Sequence, residues 1–324
     1  MSNGTHPIDV SICIVNWNGR ELVRALLDSI EDTCADLSAE VIIIDNASTD
    51  GAPDMIEADF PSVRLVRNTD NVGFARANNQ AADLANGRLL FFLNNDTVLK
   101  PDSLGRLVRF LDEHREASAV GPKLVGADGS VQASVRNHFT LGAVLHQIRL
   151  SRWTGLFNRA YRRYAATDFD YSLTQAATHI AAAALLVRNR HFVECGRWDE
   201  SFQFSVEDVD LNIRLGKLGP IYFLAESTVI HYGRISSKAN NAFAYRGEKL
   251  GFARLLDKHH PWKSSALLYK TMLTADLPFR IVILGLEFCW QKAVSRHGKA
   301  RRTFDRFMAA YAFMRHDLRR FWAS

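Results

Sequence analysis

Short apolar runs alternate with helical patterns through the first hundred residues. Residues 10–15, 41–44, 63–66 and 89–93 read as strands, and 21–30, 54–58 and 74–85 carry apolar positions at helical spacing. Strands alternating with helices predict right-handed βαβ units and a mostly parallel sheet flanked by helices, an α/β fold. In such sheets ligands bind at the carboxyl ends of the strands. Polar residues gather there: Asn16 and Asn18 after the first strand, Asp45 and Asn46 after the second, and Asn94, Asn95 and Asp96 after the fourth.

Beyond residue 100 the pattern predicts a helix over 101–113 with Pro101 in its first turn. Residues 124–175 read as irregular loops over an active site. A strand is expected at 181–187, a helix at 206–218 and a short strand at 221–224. From Tyr245 the pattern is helical to the end of the sequence. The division is thus 1–240 for an α/β domain and 241–324 for a basic helical region.

Composition adds four points. With 47% hydrophobic and 23% charged residues the chain is ordinary globular protein. Cys13, Cys34, Cys195 and Cys289 have no paired spacing, so neither a disulfide framework nor a zinc site is expected and a reducing cytosol fits. Residues 1–7 lack the apolar core of a signal peptide. The net charge of +5 is uneven: from Arg246 to Ser324 there are 16 Lys/Arg and 6 Asp/Glu, against 24 and 29 in the rest. A basic tail on an acidic body suggests an anionic partner, although a solvated helical face has the same composition.

Four clusters carry candidate chemistry. Asp45 ends an apolar strand and is followed by Asn46-Ala47-Ser48-Thr49-Asp50-Gly51, where a carboxylate can accept hydrogen bonds from a base or ribose; a turn with a helix cap reads the same. Asp96, after Asn94-Asn95, can offer a carboxylate to a cation that binds a diphosphate, or belong to a plain turn. Gly73 opens a helix from which Arg76 or Asn78 could reach phosphate or base, or it serves ordinary helix initiation. Glu207, Asp208 and Asp210 stand at a helix start, where the dipole favours acids and where an ionised carboxylate can act as a general base. His231 follows an apolar run and becomes informative only beside Asp96.

Taken in order, these clusters resemble glycosyltransferase family 2, and within it bacterial rhamnosyltransferases of cell-surface polysaccharide synthesis. The likeness runs from about Val10 to Ser237. It rests on Val-Asn-Trp-Asn at 15–18, Ile-Asp-Asn-Ala-Ser-Thr-Asp-Gly at 44–51, Asn-Val-Gly-Phe-Ala at 71–75 and Leu-Asn-Asn-Asp-Thr at 93–97. It continues with Gly-Arg-Trp-Asp-Glu at 196–200, Glu-Asp-Val-Asp-Leu at 207–211 and Val-Ile-His-Tyr-Gly at 229–233.

The resemblance implies a GT-A fold, Rossmann-like, with a C-terminal helical extension, and an inverting transfer of sugar from a nucleotide diphosphate. It places Asn16 and Asp45 at the nucleotide, with Asn78, Arg76 and Asn95 on the donor side. Asp96, the final acid of the Asp-x-Asp signature, and His231 would hold Mg²⁺ or Mn²⁺. Asp208 would be the general base with Glu207 beside it. Donors would be dTDP-, UDP- or GDP-sugars, with dTDP-rhamnose the best guess, and acceptors glycans or polyprenyl-linked glycans. The expected location is cytoplasmic, peripheral on the inner membrane.

The sequence departs from that pattern at Asn94, where the signature's first acid would stand, and at Ala181-Ala182-Ala183, where relatives often carry a Gly-containing turn. The first departure leaves room for a non-catalytic polysaccharide-assembly scaffold. A dinucleotide-dependent oxidoreductase is disfavoured because Asn16-Trp17-Asn18-Gly19 replaces the Gly-x-Gly-x-x-Gly turn.

In the tail, Phe304, Phe307, Met308, Tyr311, Met314, Leu318 and Trp322 recur at helical spacing among Arg302, Arg306, Arg315, Arg319 and Arg320. That pattern fits helices lying on an anionic membrane, or packing on the catalytic domain or a second subunit. No nucleic-acid module is evident.

Overall fold

The computed structural model of the chain describes residues 8–33, 37–202, 204–233, 241–294 and 296–324; residues 1–7, Cys34 and the stretch 234–237 of the family resemblance lie outside them. The described chain falls into two compact units. The first takes in residues 1–136, 168–201 and 207–236, and the second 137–167, 202–206 and 237–324.

The first unit is built on a mixed sheet that counts nine strands among the described residues. Four parallel strands form its first half: β1 (Val10–Asn16), β2 (Ala39–Asp45), β3 (Arg64–Arg67) and β4 (Leu89–Asn94), in the order β3-β2-β1-β4. Their connections are α1 (Arg20–Thr33), α2 (Ala52–Asp59) and α3 (Phe74–Leu84), as the alternating pattern predicts. Val10, Ile12, Ile14, Ile43, Phe91 and Leu93 of these strands meet Val23, Leu26, Leu27 and Ile56 of α1 and α2 in one buried core. The apolar runs are long because both faces of these strands are covered.

The second half carries what the periodicity left out. β4 turns at Asn95-Asp96 into the short β5 (Thr97–Leu99), and Thr97 Oγ1 donates to the Asn94 carbonyl at 2.7 Å to close the turn. The next helix, α4 (Ser103–Glu113), begins after Asp102, which is held in left-handed conformation, so Pro101 precedes the helix instead of starting it. β6 (Ala119–Val125), not anticipated, enters the sheet beside the antiparallel β10 (Ala184–Arg188). The expected strand over 181–187 is therefore shorter, because Ala181-Ala182-Ala183 forms the turn that leads into it. β7 (Val135–Arg136) pairs with β9 (His179–Ile180), and β8 (Gln175–Ala177) lines the outer edge.

The short strand expected at 221–224 is the start of β11 (Ile221–His231). Its alternation is broken by Glu226-Ser227, yet it continues through a register shift: Leu224 faces Pro122 and Thr228 faces Lys123 of β6. The irregular stretch is fastened to α4. Buried Ser227 donates to the Ser103 carbonyl at 2.8 Å, and Arg106 donates to the Glu226 carbonyl at 2.9 Å. After the bulge β11 pairs antiparallel with β5, setting His231 opposite Thr97.

Helices make up the second unit. Residues 137–167, read from the sequence as loops, hold helices Leu141–Leu145, Arg149–Thr154 and Asn158–Tyr164, and they belong to the same unit as Asn241–His259, Ser265–Ala293, His297–Ala312 and Leu318–Ala323. The link is physical. The Asp276 carboxylate accepts from the Leu150 amide at 2.8 Å and the Arg149 amide at 3.3 Å, and Arg149 pairs with Glu287. An acid from the long helix so caps a short one. Tyr269, Phe313 and Phe321 cluster edge to face in the interior. No helix among the described residues is long and apolar enough to cross a membrane.

Candidate active site

The carboxyl ends of β1, β2 and β4 are joined by side-chain amides and one carboxylate. Asn16, fully buried, donates from Nδ2 to Asp45 Oδ1 at 2.9 Å and accepts at Oδ1 from Asn95 Nδ2 at 2.8 Å. Asp45 also receives the Ser48 amide at 2.8 Å and the Ser48 hydroxyl at 2.6 Å. Asn16, Asp45 and Asn95 thus form one hydrogen-bonded row. Asn16 makes the bridge because an amide can donate to the acid on one side and accept on the other. Gly19 leaves the room this row needs, since a methyl there would collide with Asn95 Nδ2.

The donor-side helix splits the expected residues. Gly73, at φ 87° and ψ 169°, opens α3 in a conformation that L-residues rarely adopt. Arg76 is exposed on that helix, whereas Asn78 is buried and donates back to the Phe74 carbonyl at 3.0 Å. The neighbouring Asn79, which sequence reasoning missed, holds the 196–200 motif. It donates to the Trp198 carbonyl at 3.0 Å and to Glu200 at 2.9 Å, and accepts from the Trp198 amide at 3.2 Å. Trp198 lies buried edge-on to Phe74 and Phe92. Two adjacent asparagines in one motif gave no means of telling them apart.

At the end of β4, Asp96 Oδ1 lies 3.4 Å from His231 Nε2, both side chains being largely buried. The β5–β11 pairing makes this meeting. Gln132, also missed, orients the imidazole: its Nε2 donates to the His231 carbonyl at 2.6 Å and its Oε1 faces His231 Nδ1 at 2.8 Å. With the amide in that orientation Nδ1 donates to Gln132, which leaves Nε2 turned toward a carboxylate oxygen of Asp96. A proton on Nε2 or a cation against both atoms satisfies the pair. Among the described residues no group of three or more His, Cys, Asp or Glu side chains converges. A cation here would have two protein ligands and fill its shell from elsewhere, as Mg²⁺ commonly does.

The acids at 207–210 divide by role. Asp210 is buried and paired with Arg214, whose guanidinium also donates to the Cys195 carbonyl at 2.7 Å; this acid is structural. Asp208 accepts from the Val209 amide at 2.8 Å and from the Ala182 amide. The departure at Ala181-Ala182-Ala183 is therefore the turn that holds Asp208, and the same turn takes the Asn94 amide on the Ala183 carbonyl at 2.9 Å. Asn212 fixes the helix to that turn by donating to the Ile180 carbonyl at 3.0 Å and accepting from its amide at 3.1 Å.

Burial pushes the Asp208 carboxyl above the usual carboxylate range, against the pull of the Val209 and Ala182 amides and the Arg136 charge. Burial also raises Glu207, to about 8, with the Asp208 charge adding to the push. Among the described residues Glu207 Oε2 has no hydrogen-bond partner, and it is closed off from solvent. Two neighbouring carboxyls in one poorly solvated place resist ionising together, and such a pair can hold and release a proton near neutrality.

A cavity of about 880 Å³ lies elsewhere, at the amino end of β4, lined by Arg88, Arg115, Arg188 and Arg190. Arg88 is paired with Asp9 and Asp112, and Arg188 with the carbonyls of Leu111, His114 and Ala117.

Comparison with known proteins bears on the family and the fold. The model of glycosyl transferase family 2 matches residues 11–179. The chain is 28% identical over 237 residues to an N-acetylglucosaminyl-diphospho-decaprenol L-rhamnosyltransferase of Mycobacterium tuberculosis, covering 68% of this chain and 76% of that protein. It is 30% identical over 240 residues to the O-antigen biosynthesis protein RfbC of Myxococcus xanthus, covering 71% of this chain and 18% of the larger protein. Among solved structures it resembles the mannosyltransferase PcManGT from Pyrobaculum calidifontis in complex with GDP-Man and Mn²⁺ (TM-score 0.55, 15% identity, 95% of this chain and 87% of that one). It also resembles S. aureus TarS in complex with UDP-GlcNAc (TM-score 0.51, 18% identity, 83% and 72%). These structural likenesses carry the GT-A fold.

Proposed function

The chain belongs to glycosyl transferase family 2, and from that premise we propose that it moves a sugar from a nucleotide diphosphate to an acceptor hydroxyl with inversion. The observation that carries this reading is the facing of Asp96 and His231 across 3.4 Å, next to a row that ends in Asn16 and Asp45.

The nucleotide belongs at that row. Asn16, Asp45 and Asn95 fix its floor, and Arg76, the exposed cation of α3, meets phosphate from the side. Asn78, bonded within its own helix, supports that wall. Asp96 and His231 have the donor set for Mg²⁺ or Mn²⁺, which when bound supplies positive charge to the leaving diphosphate. Asp208 takes the acceptor proton as that oxygen attacks the anomeric carbon; the bond to the diphosphate breaks and its electrons leave with the phosphate oxygen. Glu207, holding a proton of its own, keeps Asp208 the better base and orients it.

The name of the M. tuberculosis relative supports an L-rhamnosyl donor and a polyprenyl-linked acceptor; the donor proposed here is dTDP-rhamnose, and the place of work the cytoplasmic face of a membrane. UDP- and GDP-sugars are the competing donors. Calorimetric titration with dTDP-rhamnose, UDP- and GDP-sugars, each with and without Mg²⁺ or Mn²⁺, tests the reading. Metal-dependent binding of one donor is expected. Absence of binding to all of them would favour a scaffold that keeps the fold, a reading that Asn94 in place of an acid keeps in play.

A further inference from the structure

Two helices of the tail turn several of their large apolar residues outward. In the helix His297–Ala312, the buried positions are the small residues Ala300, Thr303, Ala309 and Ala310, while Phe304, Met308 and Tyr311 are turned outward. The helix Ser265–Ala293 is apolar on two sides. Tyr269, Leu273, Leu277 and Leu284 face the interior, whereas Phe279, Val282, Leu286 and Trp290 form an exposed stripe at spacings of three, four and four. Phe288 and Phe304, with ring centroids 5.2 Å apart, join the two helices.

A third element adds to the surface. The helix Arg149–Thr154 is bound to the long helix through Asp276 and Glu287, and it exposes Leu150 and Trp153, the latter 84% open. Leu156 follows in the next turn, also exposed. Apolar side chains this large and this exposed, on three adjoining helices of one unit, are unusual on a surface that meets only water.

The charge around them is one-sided. Residues 137–167 contain five arginines and no acid, and 246–324 contain 16 basic and 6 acidic residues. Lys292 and Arg296 stand over Phe288 and Trp290, within 6 Å of the ring centroids, at the border of the stripe. A second copy of the chain would bring like charge to like charge. Aromatic and aliphatic tips ringed by Arg and Lys match the boundary between anionic headgroups and acyl chains instead.

We propose that this face, formed jointly by Arg149–Leu156 and the exposed sides of Ser265–Ala293 and His297–Ala312, inserts into the headgroup region of an anionic bilayer. It extends the membrane location proposed above by naming the surface, and it includes an element 90 residues and more before the tail that the sequence pattern assigned to loops.

The test uses the full chain and vesicles of equal parts phosphatidylcholine and phosphatidylglycerol, without nucleotide sugar. The chain sediments with these vesicles, and brominated acyl chains quench its tryptophan fluorescence. Joint Trp153→Phe and Trp290→Phe substitution keeps binding and removes most of the quenching. Trp153→Glu with Leu286→Glu lowers binding at least tenfold while the unfolding midpoint and donor binding stay as in the parent, because both side chains are exposed. Equal binding by the Glu variant, or unchanged quenching in the Phe variant, would overturn the named face while leaving the membrane location standing. No binding by the parent at low salt, or binding that duplex DNA displaces without any quenching, would overturn both. None of these outcomes bears on sugar transfer.

Discussion

Asp208 and Glu207 sit side by side with different amounts of help: two amides hold Asp208, and among the described residues none reaches Glu207 Oε2. Asp208→Asn keeps the amide contacts but removes the base, so turnover drops by about 10²–10⁴ with donor affinity retained. Steady-state kinetics beside calorimetric donor binding check this; near-parental turnover would discard the assignment. Glu207 gives a separate signature. Its carboxyl is raised to about 8 in the folded chain, so the neutral form is favoured there. Whatever stability this gives is complete below the ordinary carboxylate value and is lost as pH rises toward 8. Glu207→Gln removes that loss, and its advantage in unfolding midpoint over the parent grows from pH 5 to pH 9. A constant difference across that range would refute the raised value. Among the described residues of the site Gln132 hydrogen-bonds to His231, through ring and carbonyl. Gln132→Ala frees the imidazole and weakens Mn²⁺ binding in the presence of nucleoside diphosphate by about 10–100-fold, read by electron paramagnetic resonance titration.

At the scale of elements, the site is a set of strand ends brought level by the sheet. Asn212 shows how much rests on one anchor. It is buried and binds both polar atoms of Ile180, so Asn212→Ala leaves those groups unpaired and costs about 1–3 kcal/mol, measurable by denaturant unfolding. The ends of β1, β2 and β4 were legible in the sequence because apolar runs stop at Asn16, Asp45 and Asn94. β6 and the length of β11 were not: β6 carries Gly121, Pro122 and Lys123, and β11 breaks its alternation at Glu226-Ser227. Those polar residues satisfy α4 through Ser103 and Arg106 and therefore belong inside a strand. The Asp96–His231 meeting depends on the same strand, which is why only the resemblance, and no spacing rule, suggested it. Deleting one residue among Ala225–Ser227 forces either loss of the Ser227 anchor or a one-residue slip that turns His231 to the other face. Loss of metal-dependent donor binding with the fold retained is the expected result.

At the scale of the whole chain, neither unit is one stretch of sequence. The expected cut at 240/241 misses that residues 137–167 fold with the C-terminal helices. A chain truncated after residue 240 loses Asp276 and Glu287, leaves the Arg149–Thr154 helix uncapped, and uncovers Leu145 and Ile148. Reduced soluble yield relative to the full chain is expected, while a stable 1–240 fragment would contradict the division. The same interleaving sets an order in time. Leu150 leaves the ribosome 126 residues before the carboxylate that caps it. At about 5–20 residues per second, that helix waits on the order of 10 s for its partner. During synthesis the amino end of Arg149–Thr154 thus stays without its acid until Ser265–Ala293 has emerged.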